Sequence, residues 1–162
     1  YEMSASLVGS EMCIRDRKKF SWSIMFPKHP INTYLFQSCT LPDIEIDQVA
    51  HGDVNRDVKT AGRVTIGNLI VEKLMTTAGS DTWLHDWLYS CQDHIVGGGL
   101  VPSQYWETAI VNELAEDGVS VLNTHVFEEV WPCKITGLDL DRMASENTIE
   151  SIEFSVGTAD KY

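Results

Sequence analysis

The chain has 162 residues, with 12 Lys plus Arg against 24 Asp plus Glu, so its formal net charge at pH 7 is −12. A chain of this length can form one domain with its own core, and so large a negative charge argues against a dedicated binder of nucleic acid or of anionic membranes. No apolar run approaches the roughly 20 residues that a membrane-spanning helix requires, so we expect no membrane binding by this chain.

The first 17 residues look unlike the rest of the sequence. They show no clear apolar period, and they end in a run of mixed charge. Residues 4–17 resemble translated sequencing-adapter read-through; the alternative is a flexible arm that becomes ordered against a neighbour. We therefore predict a single domain over residues 18–162 and assign no chemistry to the segment before it.

Two strands open the predicted domain. Apolar side chains alternate over residues 20–26, and a second strand over residues 34–40 is closed by Leu41 and Pro42.

Three carboxylates follow with period two. Asp43, Glu45 and Asp47 alternate with two isoleucines, so all three share one face of a strand. Side chains spaced along one strand converge poorly on a single cation. The pattern therefore favours a solvated acidic face over a metal site.

A long polar segment comes next. Residues 51–63 have glycines near both ends and charges of both signs, and they are longer than a simple hairpin turn needs. We predict a functional loop here, because long ordered loops usually carry function. A long strand over residues 64–74 is expected to follow, with Gly67 as a candidate bulge.

Residues 80–92 contain the one strong helix pattern. An apolar stripe at helical spacing is formed by Trp83, Leu84, Trp87, Leu88 and Cys91. Ser80 or Asp81 is expected to cap the first turn. We predict a helix over about Asp81–Gln92 that packs its tryptophans and leucines against a sheet.

The rest of the chain again predicts strands. Gly97, Gly98 and Gly99 lack the spacing of a nucleotide-binding motif and predict a flexible connector. Four further strands are expected over residues 105–114, 119–131, 133–140 and 148–157. Seven or eight strands with one helix predict a mainly β fold, an antiparallel β-barrel or sandwich with one flanking α-helix.

The sequence contains no catalytic, cofactor-binding or metal-binding constellation, and we predict no cofactor. Cys91 with His94 is the one histidine pairing at ligand spacing, and it equally fits a helix end. The four cysteines form no Cys-x-x-Cys pair, which favours buried free thiols. We therefore predict that the chain is not an enzyme, and an enzyme built on scattered carboxylates is the less favoured alternative. Asp139, Asp141 and Glu146 fall in a predicted turn, where acidic residues mostly serve as caps and solvated groups.

The order of these features resembles a known family. From Phe20 to Tyr162 the chain is similar to the tube proteins of contractile phage tails and to inner-tube proteins of type VI secretion and related injection systems. The pieces that carry the likeness are the strands ending at Leu41-Pro42, the loop from Gly52 to Gly62, the strand and helix over 64–87, and the closing strands over 131–153. Family tubes often have Pro-Gly where this chain has Ala61-Gly62.

The resemblance implies a hexameric ring in which each subunit gives strands to a continuous inner β-barrel, with the rings stacked into a tube inside a contractile sheath. It implies as partners further copies of the chain, the tail sheath, the baseplate tube initiator, the tail terminator and the tape-measure protein. DNA would pass through the lumen without specific binding, and an acidic lumen suits that role because it repels phosphates at short range. The implied location is the virion, after assembly in the host cytoplasm.

Three groups of residues are expected to carry this role. The expected inter-subunit loop contains His51, Asp53, Asn55, Arg56, Asp57, Lys59 and Arg63. The candidate lumen face is Asp43, Glu45 and Asp47, and the helix-packing residues are Trp83, Leu84, Trp87 and Leu88. A ring-forming adaptor and the inner tube of another contractile injection system are the alternative functions. Disulfides between subunits through Cys39, Cys91 or Cys133 are left open.

Overall fold

The computed structural model describes residues 21–29, 36–52, 54–75 and 82–161, and in these ranges the chain forms nine strands and two helices. In chain order they are β1 (Trp22–Met25), β2 (Phe36–Thr40), β3 (Ile44–Gly52), β4 (Asp57–Ile66), β5 (Leu69–Leu74), α1 (Trp83–Cys91), α2 (Pro102–Tyr105), β6 (Glu107–Leu114), β7 (Val121–Ile135), β8 (Ile149–Ser155) and β9 (Thr158–Lys161). The unusual segment 1–17 and the expected helix caps Ser80 and Asp81 lie outside the described residues. The predicted mainly β class with a flanking helix is confirmed.

Strand β7 is shared by two sheets. It pairs with β9 up to Glu128 and with β6 up to Val130, and from Trp131 it pairs with β8. Strands β1, β6, β7 and β9 form the first sheet, while β2, β5, β8 and the end of β7 form the second, with every pair antiparallel. At the corner Glu129 has a φ of 56°, and its side chain fills the space that a Cβ on Gly157 would need. A bent strand of this kind joins two packed layers at a corner.

The core lies between the two sheets. Along β5, β6 and β8 alternate residues face inward, as period two requires. The buried apolar residues are Ile24, Phe26, Phe36, Leu69, Val71, Leu84, Trp87, Ala109, Val111, Phe127, Val130, Ile152, Phe154 and Val156. The order of the strands thus gathers apolar faces from the whole chain into one cluster.

Helix α1 covers part of this core. Leu84 and Trp87 are buried, while Trp83 and Leu88 are half-buried. The Trp87 ring centroid lies 5.8 Å from that of Phe26, and Trp87 Nε1 donates a hydrogen bond to the Tyr105 carbonyl oxygen at 2.8 Å. The helix begins after Thr82, which makes no capping hydrogen bond through its side chain.

Two predicted strand boundaries were wrong for local reasons. The expected long strand over 64–74 is interrupted at Gly67, whose N–H donates to the Asp43 carbonyl oxygen at 2.8 Å. The strands expected over 119–131 and 133–140 left Pro132 between them, but this residue lies inside one continuous strand, β7. A register shift next to it leaves Cys133 without an opposite residue on β8, and a bulge is a position where a sheet tolerates proline.

The glycine run after α1 is an ordered turn and not the flexible connector that we predicted. Asp93 and Gly98 form a β-bridge, and Asp93 Oδ1 accepts hydrogen bonds from the N–H groups of Ile95 at 2.8 Å and Val96 at 3.3 Å. Both hydrogen bonds lower the pKa of the Asp93 carboxyl, and the bond from Ile95 has the larger effect. A Cβ on Gly99 would collide with the backbone carbonyl of Cys91.

Gly99→Ala is therefore expected to lower the free energy of unfolding by about 1–3 kcal/mol, because the backbone of the last turn of α1 would have to shift. Gly98→Ala is the matched control, since a Cβ there meets nothing within 4 Å, and it should change stability by less than about 0.5 kcal/mol. Urea unfolding of both variants checks this, and equal losses would contradict the collision.

Candidate assembly surface

Strands β3 and β4 form a two-stranded hairpin outside the two sheets that the other seven strands build. The pairing runs from Ile44 opposite Ile66 to Gly52 opposite Asp57. Every residue of β3 is exposed, and so is every residue of β4 except Ile66. A two-stranded ribbon alone in water is marginally stable at best, and its unpaired edges are ready to pair with another chain. In the described part of the chain, β3 and β4 pair only with each other, so each keeps one edge without a strand partner there.

The two faces of this hairpin differ in chemistry. The opposed pairs place four apolar side chains on one face near the base, from Ile44, Ile46, Val64 and Ile66. The opposite face of the same stretch carries Glu45 and Asp47. Ile44, Ile46 and Val64 are 59%, 53% and 53% exposed. The hairpin is therefore an amphipathic ribbon. Ile66 packs partly against the core, and the other three apolar side chains are open to solvent.

The predicted loop over residues 51–63 is mostly strand, which corrects that assignment. His51 lies in β3, and Asp57, Lys59 and Arg63 lie in β4. Of the residues expected in the loop, Asn55 and Arg56 belong to the turn, while Asp53 lies outside the described residues. Polar side chains occur on both faces of this exposed ribbon, so the apolar alternation that reveals a half-buried strand is missing from the sequence.

The three candidate lumen residues lie near the hairpin base. Glu45 and Asp47 belong to β3, and Asp43 directly precedes it. All three side chains are exposed. After Ile46 the register shifts, because β4 contains one residue more than β3 at this point. The side chains along β3 itself still alternate between the two faces. The carboxylates of Glu45 and Asp47 therefore share a face, as predicted from the spacing.

A cleft of about 650 Å³ lies between β2 and the strands β1, β6 and β7. Its apolar lining comes from Trp22, Cys39, Leu41, Val111, Leu114 and Leu122. Strands β1 and β2 each pair with a single strand in the described part of the chain, so both present a free edge. Leu122 is 54% exposed. The sandwich therefore leaves an apolar opening on this side.

Sequence reasoning missed three histidine–glutamate pairs, two of which join distant parts of the chain. His29 Nδ1 lies 2.9 Å from Glu107 Oε2, and His85 Nε2 lies 2.9 Å from Glu150 Oε1. The third pair joins His125 on β7 to Glu113 on β6 at 2.7 Å. The side chains of Glu107 and Glu150 are each 2% exposed. Partners 78 and 65 residues apart leave no local spacing that could have revealed them.

The His29–Glu107 pair supports the aromatic cluster under α1. The imidazole of His29 stacks on Trp83 and Trp87, with centroid distances of 5.0 and 5.3 Å. The two indoles are themselves stacked at 6.4 Å. These contacts fix the segment after β1 against both α1 and β6, which is a structural role.

The described residues contain no group of three or more His, Cys, Asp or Glu side chains placed to hold a metal ion. None of the helices in the described ranges combines the length and the apolar character that crossing a membrane requires.

Cys39, Cys91 and Cys133 are free and half-buried. Burial raises the pKa of the Cys39 thiol to about 12, and burial also raises the pKa of Cys91 and Cys133. Because the thiolate is the reactive form, all three are poor nucleophiles at neutral pH.

The alkylation rate of Cys39 in the folded protein should therefore rise about tenfold per pH unit up to about pH 10. An ordinary thiol levels off near its pKa of roughly 8.5. Site-resolved mass spectrometry after iodoacetamide treatment measures this rate, and the protein unfolded in urea supplies the reference. A plateau for folded Cys39 near pH 9 would show that its pKa is not raised.

Residues 18–158 match the family model of the T4-like virus tail tube protein gp19. No curated protein matches the chain significantly.

Solved structures share the fold. The chain is similar to a protein of the PVC sheath–tube complex of an extracellular contractile injection system, with a TM-score of 0.74 and 17% identity, covering 94% of this chain and 96% of that one. A protein of the tube-terminating cap of the anti-feeding prophage gives a TM-score of 0.76 and 15% identity, covering 91% of both chains. Hcp1 from Salmonella typhimurium gives a TM-score of 0.51 and 13% identity, covering 87% of this chain and 85% of Hcp1.

These likenesses establish a common fold, and the family match covers nearly the whole chain. The resemblance drawn from the sequence is thereby confirmed. The chain belongs to the T4-like virus tail tube protein family and is a structural subunit of an inner tail tube.

Proposed function

We propose that the chain polymerises through the hairpin β3–β4 into six-membered rings that stack as the inner tube of a contractile phage tail. The observation that carries this proposal is the exposed amphipathic hairpin. A second copy that pairs with its edges and covers its apolar face would supply the stability that an isolated ribbon lacks. Closed rings also remove free edges without open-ended aggregation. The role is structural, without catalysis or a cofactor.

The acidic face of the hairpin is the proposed lining of the tube. The opposite face carries Ile46 and Val64, which gain from contact with protein, so the face with Glu45 and Asp47 is the one suited to water. Asp43 precedes this face at the base of the hairpin. Carboxylates along a narrow lumen repel phosphates within a Debye length. Double-stranded DNA would therefore pass without being bound, as a net charge of −12 also favours.

The proposed partners follow from the same role. Proteins of similar fold come from a sheath–tube complex, a sheath and tube terminator complex and a baseplate. By analogy, this tube would contact a sheath, a baseplate tube initiator, a terminator and a tape-measure protein. The proposed location is the phage virion, after assembly in the host cytoplasm.

Charge reversal in the hairpin tests this role. The variant Arg56→Glu with Lys59→Glu is expected to raise the concentration needed for polymerisation by about tenfold or more, since it turns attractive inter-subunit contacts into repulsive ones. Both side chains are exposed, so the urea unfolding midpoint should not change. Sedimentation velocity measures the assembly.

The matched control keeps the charges and exchanges the side chains, Arg56→Lys with Lys59→Arg, and should polymerise nearly as the parent does. Normal tubes from the charge-reversed variant would remove Arg56 and Lys59 from the interface.

The inner tube of an extracellular contractile injection system is the alternative, favoured by the TM-score of 0.74 over 94% of the chain. Isolation of native particles decides between the two, because only a phage tail is attached to a DNA-filled head.

A further inference from the structure

Two buried side chains of opposite charge occupy opposed positions on β5 and β8. Lys73 is 0% exposed and Glu150 is 2% exposed, and the two residues are directly opposite in the antiparallel register. We propose that Lys73 and Glu150 set the register of β5 against β8, and thereby set where the hairpin β3–β4 is attached relative to the first sheet. The effect of this register on assembly rests on the proposed function, whereas the register itself does not.

The apolar pattern alone does not define this register. Buried apolar residues point inward from both strands, Leu69 and Val71 from β5 and Ile152 and Phe154 from β8. A shift by one residue would turn the side chains of one strand to the other face, but a shift by two would keep them all facing inward. Leu69 would then lie opposite Ile152 or Val156 in place of Phe154, so apolar side chains would still meet apolar side chains.

The two charges remove this ambiguity. A shift by two in one direction would place Lys73 opposite Ile152, and a shift in the other direction would place Glu150 opposite Val71. Either shift would bury a charged group against an aliphatic side chain, which costs far more than exchanging one apolar neighbour for another. Opposite charges at opposed positions attract each other. The observed register is therefore the one that satisfies both the apolar and the charged positions.

Glu150 is held in place from the side of α1. Its Oε1 lies 2.9 Å from Nε2 of His85 on that helix, and α1 contacts β7, the other neighbour of β8. Its Oε2 is buried and has no hydrogen-bond partner among the described residues. The carboxylate is thus fixed to the unit of α1, β7 and β8, against which β5 and its lysine are aligned.

The hairpin moves with β5. Strand β4 ends at Ile66 and β5 begins at Leu69, while β2, which pairs with β5, leads into β3 through residues 41–43. A shift by two residues displaces a strand by about 7 Å. The hairpin would be displaced by that distance relative to the first sheet. A ring of identical copies requires the same placement in every copy, so a defined register is a condition for assembly.

Disulfide trapping in single copies, with the four native cysteines replaced by serine, measures the register. Ser151→Cys lies opposite Glu72→Cys in the observed register, whereas Ile70→Cys or Leu74→Cys would lie opposite it after a shift by two. Opposed residues are about 5 Å apart and can form a disulfide, while diagonal neighbours at about 7–8 Å form one poorly. The parent should form only the native bond, between positions 72 and 151.

Lys73→Met with Glu150→Met removes both charges from the core. After refolding from urea, this variant should form the shifted bonds at least about tenfold faster than the parent, because a shift no longer buries an unmatched charge. The matched control is Lys134→Met with Glu153→Met, which removes a surface ion pair of 2.7 Å between β7 and β8. The control should form the native bond alone, since a surface pair contributes little.

The native bond alone from the core variant, or equal formation of shifted bonds in the control, would overturn the inference. If the core variant does not fold, Glu150→Gln gives the test, because the amide keeps the shape of the side chain and removes its charge. Shifted bonds are again expected, and the native bond alone would show that the charge does not set the register. Trapping uses single copies, so its result is independent of whether the chain forms rings.

Discussion

Trp87→Ala is expected to lower the free energy of unfolding by about 3–5 kcal/mol, the cost typical of removing a buried tryptophan. The indole is 6% exposed and lies against Phe26 and Phe154, with centroid distances of 5.8 and 5.7 Å. Its removal would leave a cavity under α1 and would leave the Tyr105 carbonyl oxygen without the hydrogen bond that Nε1 donates at 2.8 Å. Urea unfolding followed by far-ultraviolet circular dichroism measures the loss.

Tyr89→Ala is the matched control for this variant. Tyr89 lies on the same helix, but its side chain is 45% exposed, so its removal should cost less than about 1 kcal/mol. If both substitutions cost the same, α1 would not be packed on the sheet through its tryptophan face.

The second large effect is expected on assembly. Ile46→Asp with Val64→Asp should raise the concentration at which rings form by at least about 100-fold, because burying unpaired carboxylates costs several kcal/mol and each 1.4 kcal/mol is about tenfold in affinity. The single copy should remain folded, since both side chains are 53% exposed in it. Sedimentation velocity over a range of concentrations measures the shift.

Glu45→Gln with Asp47→Asn removes two negative charges from the other face of the hairpin, whereas the first double variant adds two. Rings should then form near the parent concentration, since the acidic face does not contact protein in this arrangement. A comparable loss of assembly from both double variants would contradict the division of the hairpin into an interface side and a solvent side.

The helix and the core strands could be predicted because burial leaves a periodic pattern. Trp83, Leu84, Trp87 and Leu88 recur at helical spacing, and α1 lies within the predicted range. Leu69 and Val71 alternate with more exposed neighbours on β5, so half-burial is visible as period two.

The hairpin could not be predicted in the same way. All of its residues except Ile66 are exposed in the single subunit, so burial in the core leaves almost no periodic pattern in its sequence. A polar stretch such as residues 57–63 is then predicted to be a loop. The spacing did reveal the shared face of Glu45 and Asp47, because period two along one strand is a local property, while Asp43 lies just before that strand.

Contacts between distant residues had no local signature either. The pairing of Glu107 with His29 and of Glu150 with His85 depends on which strands become neighbours. The glycine run was also misassigned, because Gly99 is required by its close approach to the Cys91 carbonyl. From sequence alone, such a glycine cannot be told from one that provides flexibility.

Electron microscopy of the purified full-length protein and of residues 18–162 tests the central claim most directly. We expect hollow rings with six subunits, some stacked into tubes, with the hairpins forming part of the wall and Glu45 and Asp47 facing the channel. A protein that stays as single folded copies in both forms up to its solubility limit would contradict the account. Rings whose hairpins project freely from the outer surface would contradict it as well.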